Sequence, residues 1–172
     1  MQSDNPLEPI WQAYQVTRDC LKVAQRAINK QQPSFLGGTQ CVGIPQQEAT
    51  QWIVMSRDES DDCVILSLWA VFERIIIDYM QRKGQKILDE SPKVFSQKFY
   101  KQLQREVEYW KIDDILDLFK GTIDPILIGH AKQIKDHRDW VAHRNINRGK
   151  VLPDFAYKIL SEILSQIQQP AE

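Results

Sequence analysis

Between Cys63 and Met80 the chain reads CVILSLWAVFERIIIDYM, a stretch that is apolar on nearly every side of a helix. A surface helix keeps one polar face, so a helix of this kind is usually central in a bundle or buried at a dimer seam. The acidic run Asp58, Glu59, Asp61 and Asp62 precedes it, which complements the positive end of a helix dipole. Gly84 follows it, where a C-terminal stop belongs. The prediction is a helix from about residue 58 to Lys83.

Helical periodicity accounts for most of the remaining chain. Ile10, Tyr14, Leu21, Ala24 and Ile28 recur at spacings of three, four and seven and predict a first helix over roughly Pro6 to Ile28. Residues 29–57 are rich in Gln, Gly and Pro and read as a loop-rich insert, either mobile or partly ordered, with a short helix near Glu48 to Met55 as the ordered option. Ser91-Pro92 starts a third helix that runs to about Trp110 and carries Phe95, Phe99, Leu103, Val107 and Trp110 on one stripe. IDDILDLF is a short fourth piece ending at Gly121. Asp124-Pro125 starts a fifth helix reaching His143 or Asn145, and Pro153 to Gln168 form the last, with 169–172 a frayed tail. These elements predict an all-α fold: an antiparallel helical bundle of four to five main helices with an extra short one, in a single domain over 1–172.

Composition narrows the function classes. A chain of 172 residues buries most of its apolar surface without disulfide or metal staples. The net charge of -1 argues against a wholly basic nucleic-acid binder and leaves room for a local patch. Cys20, Cys41 and Cys63 are odd in number and far apart, as reduced thiols of a cytoplasmic protein would be. The histidines at 130, 137 and 143 do not interleave with them at ligand spacing, so neither a metal nor another cofactor is expected. No signal peptide and no membrane span are read from the sequence.

Two charged residues interrupt apolar stripes. Leu127, Ala131, Ile134, Arg138 and Val141 share one side of the fifth helix, and Leu66, Ala70, Glu73 and Ile77 one side of the second. An inward guanidinium needs a partner, because an unpaired buried charge costs several kcal/mol. Glu73 is the candidate; the alternatives are that Arg138 snorkels to solvent and that Glu73 pairs with a nearer cation. From Lys132 to Lys150, six cations stand against two carboxylates. The excess suits an anionic ligand or, equally, a solvated helix face. His130, His137 and Trp140 read as packed or surface side chains.

Within that cluster, RDWVAH (Arg138 to His143) puts four residues between Arg and His, with Asp139 after the arginine and the small Ala142 before the histidine. It resembles the Rx4–6H motif of the HEPN family, which favours Asn, Asp or His directly after the arginine. SLWAVFERIIIDYM, Ser67 to Met80, is similar to the aromatic, Phe-Glu-bearing helix of the HEPN branch associated with RiboL-PSP-type proteins. The motif's place near the end of the penultimate long helix fits as well. The resemblance spans roughly residues 58–168, and the two motif helices carry it. It implies a bundle that dimerises and sets two Arg-His pairs in one cleft, with Arg138 and His143 catalytic. Many members are metal-independent endoribonucleases, often toxins of toxin–antitoxin or phage-defence systems; others have lost activity and serve as binding modules. The implied partners are RNA, a second copy of the chain, and an antitoxin or regulatory protein. One group of the family carries a tyrosine two residues after the histidine, which a nucleotidyltransferase partner modifies. Asn145 stands there in this chain, so silencing by that route is not expected.

RNA cleavage without metal needs a base for the 2′-hydroxyl, an acid for the leaving 5′-oxygen and a cation for the phosphorane. Histidine suits the first two roles and arginine the third. The expected assignment is His143 as acid and base, Arg138 on the phosphorane, Glu73 and Asp139 in support, and Arg144, Asn145 and Arg148 on flanking phosphates. Arg138 and His143 lie about 140° apart around a regular helix. Either the helix loosens, or Arg138 reaches round, or a dimer completes the site, as in the family. Three functions follow for testing: the ribonuclease; a non-catalytic module binding RNA, nucleotide or protein; and a structural interaction protein whose second helix is an apolar seam sensitive at Trp69 or Phe72.

Overall fold

The computed structural model describes residues 5–143 and 151–168. Six α-helices follow one another: α1 (Glu8–Asn29), α2 (Gln46–Gln85), α3 (Lys93–Glu106), α4 (Ile112–Asp117), α5 (Pro125–His143) and α6 (Pro153–Gln168). Among the described residues there is no strand, only an isolated bridge between Lys120 and Ile123. The fold is therefore an all-α bundle, with five main helices and the short α4.

Its axis is α2, which packs against α1, α3, α5 and α6. Ile65, Leu68, Trp69, Phe72 and Ile76 recur every three or four residues along it and are buried. They meet Ile128, Ala131 and Ile134 of α5, and Ala156, Leu160 and Ile163 of α6, in one continuous core. Burial of a side chain such as Phe72 contributes roughly 1.5–3 kcal/mol. Trp69 and Phe72 are thus spent inside the protomer, and the idea of an apolar seam formed by them between chains is overturned.

The start of α2 differs from expectation. It is one helix of 40 residues beginning at Gln46, so the second part of the predicted insert, 46–57, is α-helical, while 30–45 is loop and turn around a short 3-10 helix at Pro33–Leu36. No glycine or proline interrupts Gln46 to Lys83, and Pro45 stands just before the first turn. The acidic run lies in mid-helix, where Asp61 and Asp62 meet residues of other helices. Asp61 accepts hydrogen bonds from the Tyr14 hydroxyl (2.7 Å) and from Arg18 Nη1 (3.0 Å), tying α1 to α2. Burial, then the bond to Asp61, pushes the Tyr14 phenol up to about 12.

Gly84 does not stop α2 either. It lies inside the helix, and an added Cβ would come within 2.1 Å of Leu103 Cδ2, so glycine permits the approach of α3. Ser91 makes no cap for α3, which starts at Lys93 behind Pro92. Asp124 does cap α5: its carboxylate accepts the Ile126 amide at 2.8 Å. Between α1 and α6, Trp11 stacks on Tyr157 at 4.7 Å, and the Tyr157 hydroxyl donates to Glu8.

Candidate functional site

Arg138 projects from α5 toward α2 and is half-buried. Its Nη2 donates to Glu73 Oε2 at 3.2 Å, and its Nη1 lies 2.8 Å from Asp139 Oδ1. The guanidinium carbon sits 5.5 Å from the centre of the Trp69 ring. Glu73 Oε2 also accepts the Trp69 indole N–H at 3.0 Å. The pairing of Glu73 with Arg138 expected from their stripes is present, and Trp69 fixes the carboxylate from one turn earlier in α2. The stripe itself differs in detail. Ala70 is exposed, and the deepest residues of α5 are Ile128, Ala131, Ile134, His137 and Val141, which leaves Arg138 at their edge.

The charges continue around α5. Lys135 Nζ lies 3.3 Å from Asp139 Oδ2 and 3.0 Å from Asp113 Oδ2 on α4. Burial pulls the Lys135 ammonium down, and the neighbouring Asp113 and Asp139 outweigh that and hold its pKa above the ordinary 10.5. Lys132 Nζ sits 2.7 Å from Asp117 Oδ1. The three cations of the described part of the basic cluster are therefore each matched by carboxylates. The excess positive charge read from 132–150 falls instead on Arg144, Arg148 and Lys150, which lie outside the described residues, as does Asn145.

His143 is the last residue of α5 and is exposed. Among the described residues, no hydrogen bond or ion pair joins it to Arg138, so one chain does not bring the two expected catalytic residues into contact. The helix continues to His143, which removes loosening before that residue as a way of aligning them. Asp139 is shared between Arg138 and Lys135.

A second polar pair was not anticipated. His137 is 2% exposed and Asp62 5%, and His137 Nε2 lies 3.3 Å from Asp62 Oδ1 across the contact of α5 with α2. The His137 and Trp140 rings are 5.9 Å apart. Asp62 stands in phase with Ile65, Trp69, Phe72 and Ile76, and His137 in phase with Ile134 and Val141. That shared phase was the available signal, and reading Asp62 as part of a helix start concealed it.

Among the described residues, no three His, Cys, Asp or Glu side chains converge as metal ligands do. No described helix is long and apolar enough to cross a membrane. No protein-family model, no curated protein and no solved structure matches this chain.

Proposed function

We propose that this chain is a HEPN-like, metal-independent endoribonuclease that works as a homodimer, in a toxin or defence setting with an antitoxin or regulatory partner. The observation behind the proposal is the arginine of RDWVAH held in one orientation by Glu73, Asp139 and Trp69, on the helix that ends at an exposed histidine. An oriented guanidinium stabilises a phosphorane without rearranging during the reaction. With two copies, one His143 removes the 2′-hydroxyl proton, the 2′-oxygen attacks phosphorus, and the other His143 gives a proton to the departing 5′-oxygen. The products are a 2′,3′-cyclic phosphate and a 5′-hydroxyl. Arg144, Asn145 and Arg148 then hold flanking phosphates.

The test is incubation with end-labelled RNA in EDTA, wild type beside His143→Ala. Cleavage by the wild type, reduced on the order of 10²–10⁴-fold in the variant, supports the reading. A second reading has its own observation: both terminal nitrogens of Arg138 already meet carboxylates, as in a structural ion pair. A module that binds RNA, nucleotide or protein without turnover would retain RNA in a shift assay while wild type and variant alike leave it intact.

A further inference from the structure

The stripe of α3 expected in the core is split. Leu103 is buried and Val107, just beyond the helix, is fully so, while Phe95 is 62% exposed, Phe99 46% and Trp110 41%. Phe95 and Phe99 stack on each other with centroids 5.9 Å apart. With Leu103 and Trp110, and with the polar Lys98, Gln102 and Glu106, they line an open groove of about 420 Å³. Aromatic faces left in water at this density mark a binding surface more often than chance.

What stands beside the aromatic row decides the occupant. Lys98, Lys101 and Arg105 follow one another at spacings of three and four residues, so they form a second row. At 100° per residue this row flanks the aromatic one on the side away from the buried Ser96 and Leu103. All three are exposed, and none makes an ion pair among the described residues. The contrast is with Lys132, Lys135 and Arg138 of α5, each bound to a carboxylate. Like charges one turn apart repel, so an unpaired cationic row is unfavourable until an anion lies along it. The one acid of the groove, Glu106 at the end of α3, accepts Gln102 Nε2 at 2.6 Å, and Glu108 just beyond the helix is taken by Arg74 at 2.8 Å, so the three cations outnumber the groove's own carboxylate.

We propose that α3 is a binding site for single-stranded nucleic acid, with bases stacked on Phe95, Phe99 and Trp110 and phosphates along Lys98, Lys101 and Arg105. Parallel aromatic and cationic rows suit one strand with splayed bases, because ring faces take up any base and the cations follow its backbone. A duplex offers the phosphates and no free base faces. The site stands on α3 and on Trp110 just beyond it, and does not rest on the cleavage reading.

The experiment is fluorescence anisotropy with a labelled short oligothymidylate, which has no 2′-hydroxyl and so reports binding whatever His143 does. A labelled hairpin duplex is the competitor. Wild type is expected to prefer the single strand. Phe95→Leu with Phe99→Leu keeps apolar bulk and removes the ring faces; affinity should fall roughly ten- to a hundredfold while the melting curve is unchanged. Replacing Lys98, Lys101 and Arg105 by Gln should flatten the dependence of log affinity on log salt by about 0.7 for each phosphate no longer neutralised. No binding of the oligothymidylate at low salt, equal binding of duplex, or undiminished binding by the leucine variant would overturn the site. A dimer that dissociates in the leucine variant, with oligonucleotide binding intact, would assign the face to a second copy of the chain instead.

Discussion

Glu73 Oε2 holds two donors at once, the Trp69 indole and Arg138, and both were brought to it by different elements of the sequence pattern: one from a turn earlier in α2, the other from α5. Truncation to alanine leaves a buried indole N–H without its acceptor. We expect Glu73→Ala to cost about 1–3 kcal/mol in urea unfolding, and Glu73→Gln, which still accepts that bond, to cost less. At Glu8, hydrogen bonds from Tyr157 and Gln12 hold the carboxyl below its ordinary 4.5. A depressed carboxyl stabilises the fold above pH 4.5 and ceases to do so as pH falls through the lower folded value. Melting temperature followed downward from neutral pH should therefore drop more steeply through this range for wild type than for Tyr157→Phe. Single residues were legible where a stripe was interrupted by one charge: Arg138 and Glu73 showed this way. His137 did not, because the carboxylate it meets, Asp62, lies 75 positions earlier and nothing in its own segment points to it.

At the scale of helices, local chemistry located the ends of α5 and α6 well, since Asp124 and the prolines at 125 and 153 act within one turn. The beginning of α2 was misplaced because acidic residues suit a helix start, and equally suit partners on distant helices. The uneven covering of α2 has a dynamic outcome. Between Gln46 and Asp61 only Ala49 is buried, whereas Val64 to Ile77 includes seven buried residues. Amide exchange followed by mass spectrometry should be faster over 46–58 than over 64–77. Gly84→Ala sets a gain in helix propensity of about 1 kcal/mol against a collision with Leu103. Overpacking of this kind costs about 1–3 kcal/mol, so we expect a net loss of stability by chemical denaturation. Leu103→Ala in the same chain should cost less beside Gly84→Ala than alone, because the two share one space.

For the molecule as a whole, the all-α architecture was legible from periodicity, and the assignment of surfaces was not. Phe95, Phe99 and Trp110 share a period with Leu103 and Val107, yet only the packing of α3 on α2 decides which of them are covered. The same central position of α2 has a consequence for how the protein is made. Ribosomes release the chain from its first residue onward, so Ile65, Trp69 and Phe72 emerge long before the helix α6 that covers them. The residues from Ile76 to Pro153 take roughly 4–15 s to synthesise at about 5–20 residues per second. During that interval the nascent protein presents its future interior to water, and a transcript broken before Pro153 leaves it so permanently. Such a fragment should bind a hydrophobic dye and melt without a cooperative transition.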